Sequence, residues 1–368
     1  MKRLICFLLL FSLCAGILTG CSAKYPAQKS TGDESRVVMT ISLDGEKYDI
    51  KYELYRALFF ARHTELDGGD AGVWASSESE QYVEKINELI ASDAAKIYAA
   101  IHIAEKLGFD LYSKEVKKQI EEYIATSVEG NEADIIGYGG DYDAYLAALS
   151  DRGINYSVQE LLFRYAIALE KINEYYIGTS DDALGYIPGE YEVTDSEVRD
   201  FYFGDESVRI LHAYMQADVV TDAEIKMQTL AESISSLEPL EAALYIINHT
   251  AATPTDLIIN KNVSGIVFGK YTVNSVYEEY SSAAFALSAG EVSELIEIND
   301  GSRGYYVIYG LEKSEQHFED CFEDVKAAYL DNLIGLEIQM VQTALAESAE
   351  LQNGYYKISH EEILNYGN

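Results

Sequence analysis

Two kinds of apolar spacing divide the chain. Val37 to Ile50 (VVMTISLDGEKYDI) is apolar at alternate positions on both sides of Asp44-Gly45, a dipeptide suited to a tight turn, so a two-stranded hairpin is expected. From Tyr52 the spacing turns helical through Tyr55, Leu58 and Phe59. After the loop around Asp67-Gly68-Gly69-Asp70, a long helix is predicted from Glu80 to Leu107, with Val83, Ile86, Ile90, Ile97, Ile101 and Ala104 near one face. Gly108 stops it, and Ser113 caps a helix carrying Val116, Ile120 and Ile124. The segment DYDAYLAALSDRGINYSVQELLFRYAIALEKI reads as two helices broken at Gly153, the second opening at Tyr156-Ser157. Residues 38–175 are therefore expected to be mainly helical.

From Tyr176 to Tyr191 the pattern loosens around Gly178, Gly185, Pro188 and Gly189, which marks a boundary. Thr194-Asp195-Ser196-Glu197 has the form of a capping box opening a short helix with Val198, Phe201 and Tyr202. Beyond it the elements mix: a strand over Val208 to Met215, helices over Asp222 to Leu237 and Leu240 to Ile247, and a strand over Gly304 to Leu311. Ser314 is expected to cap one long helix whose apolar positions include Phe318, Phe322, Val325, Tyr329, Leu333, Leu336 and Met340. The sum is an α+β fold with a mainly helical first half.

The N-terminus adds an address. Lys2 and Arg3 precede an almost wholly apolar run from Leu4 to Ile17, about 14 residues where a spanning helix needs about 20. It ends in Leu18-Thr19-Gly20-Cys21, which resembles the lipobox of bacterial lipoproteins. The resemblance implies cleavage after residue 20, lipid on Cys21 and an extracytoplasmic, membrane-anchored protein. Residues 21–36 then form a polar tether. Cys6 and Cys14 leave with the signal and Cys21 becomes a thioether, so Cys321 is the one remaining thiol and no internal disulfide is expected.

Charge narrows the partners. The chain carries 27 Lys+Arg against 62 Asp+Glu, a net charge of −35. Loss of Lys2 and Arg3 takes this to about −37. Such a surface repels nucleic acid, and it suits solubility or attraction of basic unfolded polypeptide. The six histidines (His63, His102, His212, His249, His317, His360) include no i, i+3 or i, i+4 pair, so no helical metal site is predicted. Asp141-Tyr142-Asp143 lacks the rest of a calcium loop, and no Gly-x-Ser-x-Gly elbow or phosphate-binding glycine loop is present. No cofactor is expected, and nothing in the sequence sets the oligomeric state.

Several segments together resemble the PrsA-type foldase lipoproteins and SurA-type periplasmic chaperones. They are VVMTISLDGEKYDIKYELYRALF, AYLAALSDRGINYSVQELLFRYAI, VRILHAYM (208–215), SAAFALSAGEVS (282–293) and GYYVI (304–308). The resemblance implies a helical chaperone module over 37–190, a connecting helix within 191–205, an inserted parvulin-like α/β domain over 206–312, and a C-terminal helix within 313–368 that packs back on the chaperone module. It also implies a tethered foldase acting on unfolded exported polypeptides as a peptidyl-prolyl cis-trans isomerase.

Turning an X-Pro bond crosses a barrier of about 18–20 kcal/mol set by amide resonance. Catalysis needs no metal or nucleophile, only an apolar cup for the proline ring and polar groups that favour the twisted amide. By resemblance the polar set is His212, Thr250 and Tyr306, and the cup is Phe268, Val276 and Tyr280. Two positions depart from the family pattern: Tyr306 replaces its second histidine, and Thr250, next to His249, replaces its Asp or Cys. A holdase without isomerase activity is therefore the alternative reading.

Overall fold

The computed structural model describes residues 25–26, 32–76, 79–131, 137–181, 185–217, 219–250, 258–259, 262–271, 278–299, 303–352 and 359–364. Among these, residues 175–336 form one compact unit, and those up to 174 together with those from 337 onward form another. Cys21, the signal region before it and Val276 lie outside the described residues.

The helical unit opens with β1 (Val37–Leu43) and β2 (Glu46–Lys51), paired antiparallel as the alternation predicts. In the turn Asp44 (φ 53°) and Gly45 (φ 85°) both take left-handed backbone, which matches the twist of the flanking strands. α1 (Tyr52–Asp67) follows directly and ends at Gly68, whose N–H returns to the Thr64 carbonyl. After a 3₁₀ turn at Ala71–Ala75, α2 (Ser79–Lys106) buries Ile86, Ile90, Ile97 and Ile101 and packs against α1. Ser113 Oγ accepts from the Val116 N–H and starts α3 (Lys114–Glu129). α4 (Tyr142–Ser150) and α5 (Tyr156–Tyr176) flank the predicted break at Gly153.

Parts of the segment 21–36 are described, and there it makes defined contacts. Tyr25 Oη donates to Glu129 at 3.0 Å, and Tyr142 Oη donates to the Pro26 carbonyl at 2.8 Å. A short 3₁₀ turn also spans Gly32–Ser35.

The unit of residues 175–336 begins with a small hairpin, β3 (Gly178–Asp181) and β4 (Gly185–Pro188), where the sequence reads only as a boundary. Strands of four residues rich in glycine carry too few positions for alternation to register. α6 (Asp195–Phe203) opens with the expected capping box: Thr194 Oγ1 accepts from the Glu197 N–H, and the Glu197 carboxylate accepts from the Thr194 N–H at 2.7 Å. The next elements are β5 (Ser207–Gln216), α7 (Ala223–Ile234), α8 (Pro239–His249), β6 (Ile258–Ile259), β7 (Asn262–Val263), β8 (Ile266–Gly269), α9 (Glu278–Ala286), β9 (Ile296–Asn299) and β10 (Arg303–Leu311).

Four of these strands form one antiparallel sheet in the order β8-β5-β10-β9, so the two long strands sit at its centre. Period-two alternation gives the sheet two different faces. Leu211, Ala213, Met215, Tyr305, Val307 and Tyr309 pack against α7 and α8. Ile210 and Ile308 pack against α9, with Tyr280 and Ala284.

The single helix expected after Ser314 is two helices. Ser314 caps α10 (Glu315–Asp320), Cys321 (φ −124°, ψ 25°) breaks the run, and α11 (Phe322–Glu347) follows. Phe318 and Phe322 lie four residues apart and keep the same apolar phase across the break, so periodicity does not reveal it. Cys321 is a buried free thiol. In the helical unit the chain then adds β11 (Glu350–Leu351) to β1, with Met39 opposite Leu351, and ends its described part in α12 (His360–Leu364). Among the described residues no helix is long and apolar enough to cross a membrane.

Candidate functional site

The central strands deliver the site. On β5 the positions that share a face with Ile210 are Val208, His212 and Tyr214, and on β10 they are Tyr306 and Ile308. The register sets His212 opposite Ile308 and Tyr214 opposite Tyr306. Tyr280 reaches the same face from α9, and Phe268 reaches it from β8, where it pairs with Val208.

His212 and Tyr280 are joined directly, with His212 Nδ1 2.6 Å from Tyr280 Oη. The Tyr306 ring stands edge-on to both, with centroids 5.7 Å from His212 and 5.2 Å from Tyr280. Phe268 meets Tyr280 at 5.8 Å, and Tyr214 lies 4.6 Å from Tyr306. Tyr280 is buried, whereas His212, Tyr214, Phe268 and Tyr306 are half-buried and keep part of their surface open. Burial pushes the Tyr280 phenol far above the ordinary tyrosine range, so it stays protonated and able to donate.

Gly304 makes room for the outer ring. A Cβ there would stand 2.5 Å from the Tyr214 ring, so the missing side chain lets that ring lie across β10.

Four of the six residues predicted from the sequence thus meet in one cluster: His212, Tyr306, Phe268 and Tyr280. Thr250 is placed differently. It is the C-terminal cap of α8, its hydroxyl donates to the Ile246 carbonyl at 2.7 Å, and α8 buries Ala242, Ala243 and Ile246 against the opposite face of the sheet. His249 stacks on Tyr245 at 3.9 Å and bonds the Tyr245 carbonyl through Nδ1. Tyr214 went unrecognised in the sequence, although its place two residues after His212 puts it on the same face. Tyr280 was read as part of an apolar cup, and its hydroxyl turns out to hold the histidine.

Beside this cluster a cleft of about 360 Å³ opens between β5, the end of β10 and α9, lined by Val208, Ile210, Ala284 and Phe285 with Arg209 and Lys313. None of His212, Tyr280 and Tyr306 lines it. Its two cations are engaged by carbonyls: Lys313 Nζ donates to Gly204 at 2.7 Å, and Arg209 donates to Val263, Ser264 and Glu312. Among the described residues no group of three His, Cys, Asp or Glu could hold a metal ion.

The cluster is thus a half-buried set of aromatic rings around one histidine, carried by the central strands of a four-stranded antiparallel sheet in an α+β unit. Among solved structures the chain is similar to the foldase protein PrsA of Streptococcus pneumoniae, at 17% identity over 86% of this chain and 96% of that one, with a TM-score of 0.31. It is also similar to PrsA of Bacillus subtilis (15% identity, 89% and 100% covered, TM-score 0.25) and to the foldase protein PrsA of Lactococcus lactis (13%, 89% and 99%, 0.24). No family model and no curated protein matches the chain.

Proposed function

We propose that the chain is an extracytoplasmic foldase, tethered to a membrane by lipid on Cys21, that handles proline-containing segments of unfolded exported polypeptides. The proposed division is a helical chaperone module over 37–190, a connecting helix within 191–205, a parvulin-like module over 206–312, and a returning C-terminal segment over 313–368. One observation carries the reading. His212, Tyr280, Tyr306 and Phe268 form a single cluster in which two phenols and an imidazole stand with the apolar ring of Phe268.

That composition suits cis-trans isomerisation at proline. The reaction makes and breaks no covalent bond, so it needs neither metal nor nucleophile. Apolar ring faces, here those of Phe268 and Tyr306, accept the pyrrolidine ring and exclude water. Donors on the same wall favour the amide when it is turned out of plane, because resonance then no longer spreads the nitrogen lone pair. Thr250, engaged with its own helix, has no step in this scheme. The strongly acidic chain favours clients of opposite charge.

The test is a refolding reaction limited by proline isomerisation. Substoichiometric amounts of the protein should speed the slow phase of an unrelated small protein without changing its final yield. No change in the slow phase at equimolar protein would reject the proposal.

A further inference from the structure

Tyr280 offers a hydroxyl where packing uses only its ring. Its side chain is 5% exposed and shares an apolar cluster with Ile210, Ala284, Ile296, Ile298 and Ile308, its polar ring neighbours being His212 and Tyr306. A phenol taken out of water into such surroundings has to find an acceptor for its proton. Among the described residues the Tyr280 hydroxyl has one hydrogen-bond partner, Nδ1 of His212 at 2.6 Å. A nitrogen that accepts carries no hydrogen, and a neutral imidazole then bears its hydrogen on the other nitrogen.

We infer that Tyr280 is a positioning residue that holds His212 as the neutral tautomer with its hydrogen on Nε2. Three features act together on that ring. The β5 backbone is paired with β10 at His212, opposite Ile308, and with β8 just before it over residues 207–210. The hydrogen bond from Tyr280 sets the rotation of the imidazole. The edge-on rings of Tyr280, at 72°, and Tyr306, at 60°, confine it from the flanks.

The consequence concerns what the cluster can recognise, and it rests on the reading of this cluster as a peptide site. With Nδ1 committed to Tyr280, the other edge of His212 presents a donor. It suits an acceptor, such as a peptide carbonyl oxygen or the lone pair of an out-of-plane amide nitrogen. It does not suit abstraction of a proton from a ligand. His212 thus acts as a donor toward peptide acceptors, and no bond is made or broken at the histidine.

The experiment uses the full chain labelled with ¹⁵N-histidine, with His212→Gln to identify the His212 resonances. Near neutral pH the His212 Nδ1 should show the shift of an unprotonated ring nitrogen, and Nε2 that of a nitrogen bearing hydrogen. In Tyr280→Phe both resonances should move toward averaged positions as the tautomers mix, and kcat/KM for a proline peptide should fall roughly tenfold. A hydrogen on Nδ1 in the wild type, or unchanged His212 shifts in Tyr280→Phe, would overturn the assignment. The wild-type spectrum decides this even if the variant does not fold. A wild type with the stated tautomer but no effect on proline peptides upholds the assignment and rejects the proposed activity.

Discussion

Acid should weaken the unit of residues 175–336 through one histidine. His317 on α10 is 6% exposed, its Nδ1 lies 2.9 Å from Tyr202 Oη, and the two rings stack at 5.6 Å. Burial, followed by the charge of Arg209, lowers its pKa from 6.5 to about 4; a backbone hydrogen bond with Ser264 and the charge of Asp320 pull the other way without prevailing. Above pH 6.5 the histidine is neutral in both folded and unfolded chains, so its contribution is fully retained. Between pH 6.5 and about 4 the unfolded chain binds a proton that the folded chain refuses, and stability is lost as pH falls. At about 1.4 kcal/mol per pH unit, the full window amounts to about 3 kcal/mol. Hydrogen exchange of the β5 and β10 amides, corrected for intrinsic rates, measures it. His317→Gln keeps a hydrogen-bonding side chain and removes the titration, so the stability difference between wild type and variant should shift by about 3 kcal/mol in favour of the variant from pH 7 to pH 4. A difference that stays constant over that range would refute the reasoning, because the many carboxylates contribute equally to both proteins.

Burial likewise lowers the His360 pKa to about 4, and its ring stacks on Trp74, the sole tryptophan, at 5.3 Å. Trp74 fluorescence should therefore step as pH falls through about 4, and His360→Gln should abolish the step. Gly304→Ala places a methyl 2.5 Å from the Tyr214 ring; the ring must swing away, with a stability loss of about 1–3 kcal/mol by thermal melting and shifted Tyr214 and Tyr306 ring resonances. Cys21→Ser should end incorporation of labelled fatty acid and move the protein from the membrane fraction to the soluble one; continued labelling would reject the anchor.

The parts legible in the sequence were those whose physics is local. β5 and β10 are mostly apolar runs of ten and nine residues, long enough to read as strands from the sequence. The Asp44-Gly45 turn and the Thr194 capping box are set by residues next to one another. What escaped depends on distant partners. The cage around His360 joins residues 305 apart in sequence, through Tyr55 Oη 3.0 Å from His360 Nε2. Thr250 was placed in the polar set by resemblance alone, which says nothing about which face of the sheet its helix covers. Tyr280 entered the sequence reading by resemblance as part of an apolar cup, but only three-dimensional proximity reveals that its hydroxyl bonds a histidine 68 residues earlier.

The most direct test of the central claim is the cis-to-trans relaxation of a short proline peptide, followed by a protease that cleaves only the trans form. The wild-type protein should accelerate relaxation in proportion to its concentration, and His212→Ala should lower kcat/KM by tenfold or more, roughly the effect of removing one positioned donor. Relaxation at the uncatalysed rate in the presence of abundant folded protein, or acceleration that survives in His212→Ala, would contradict the account.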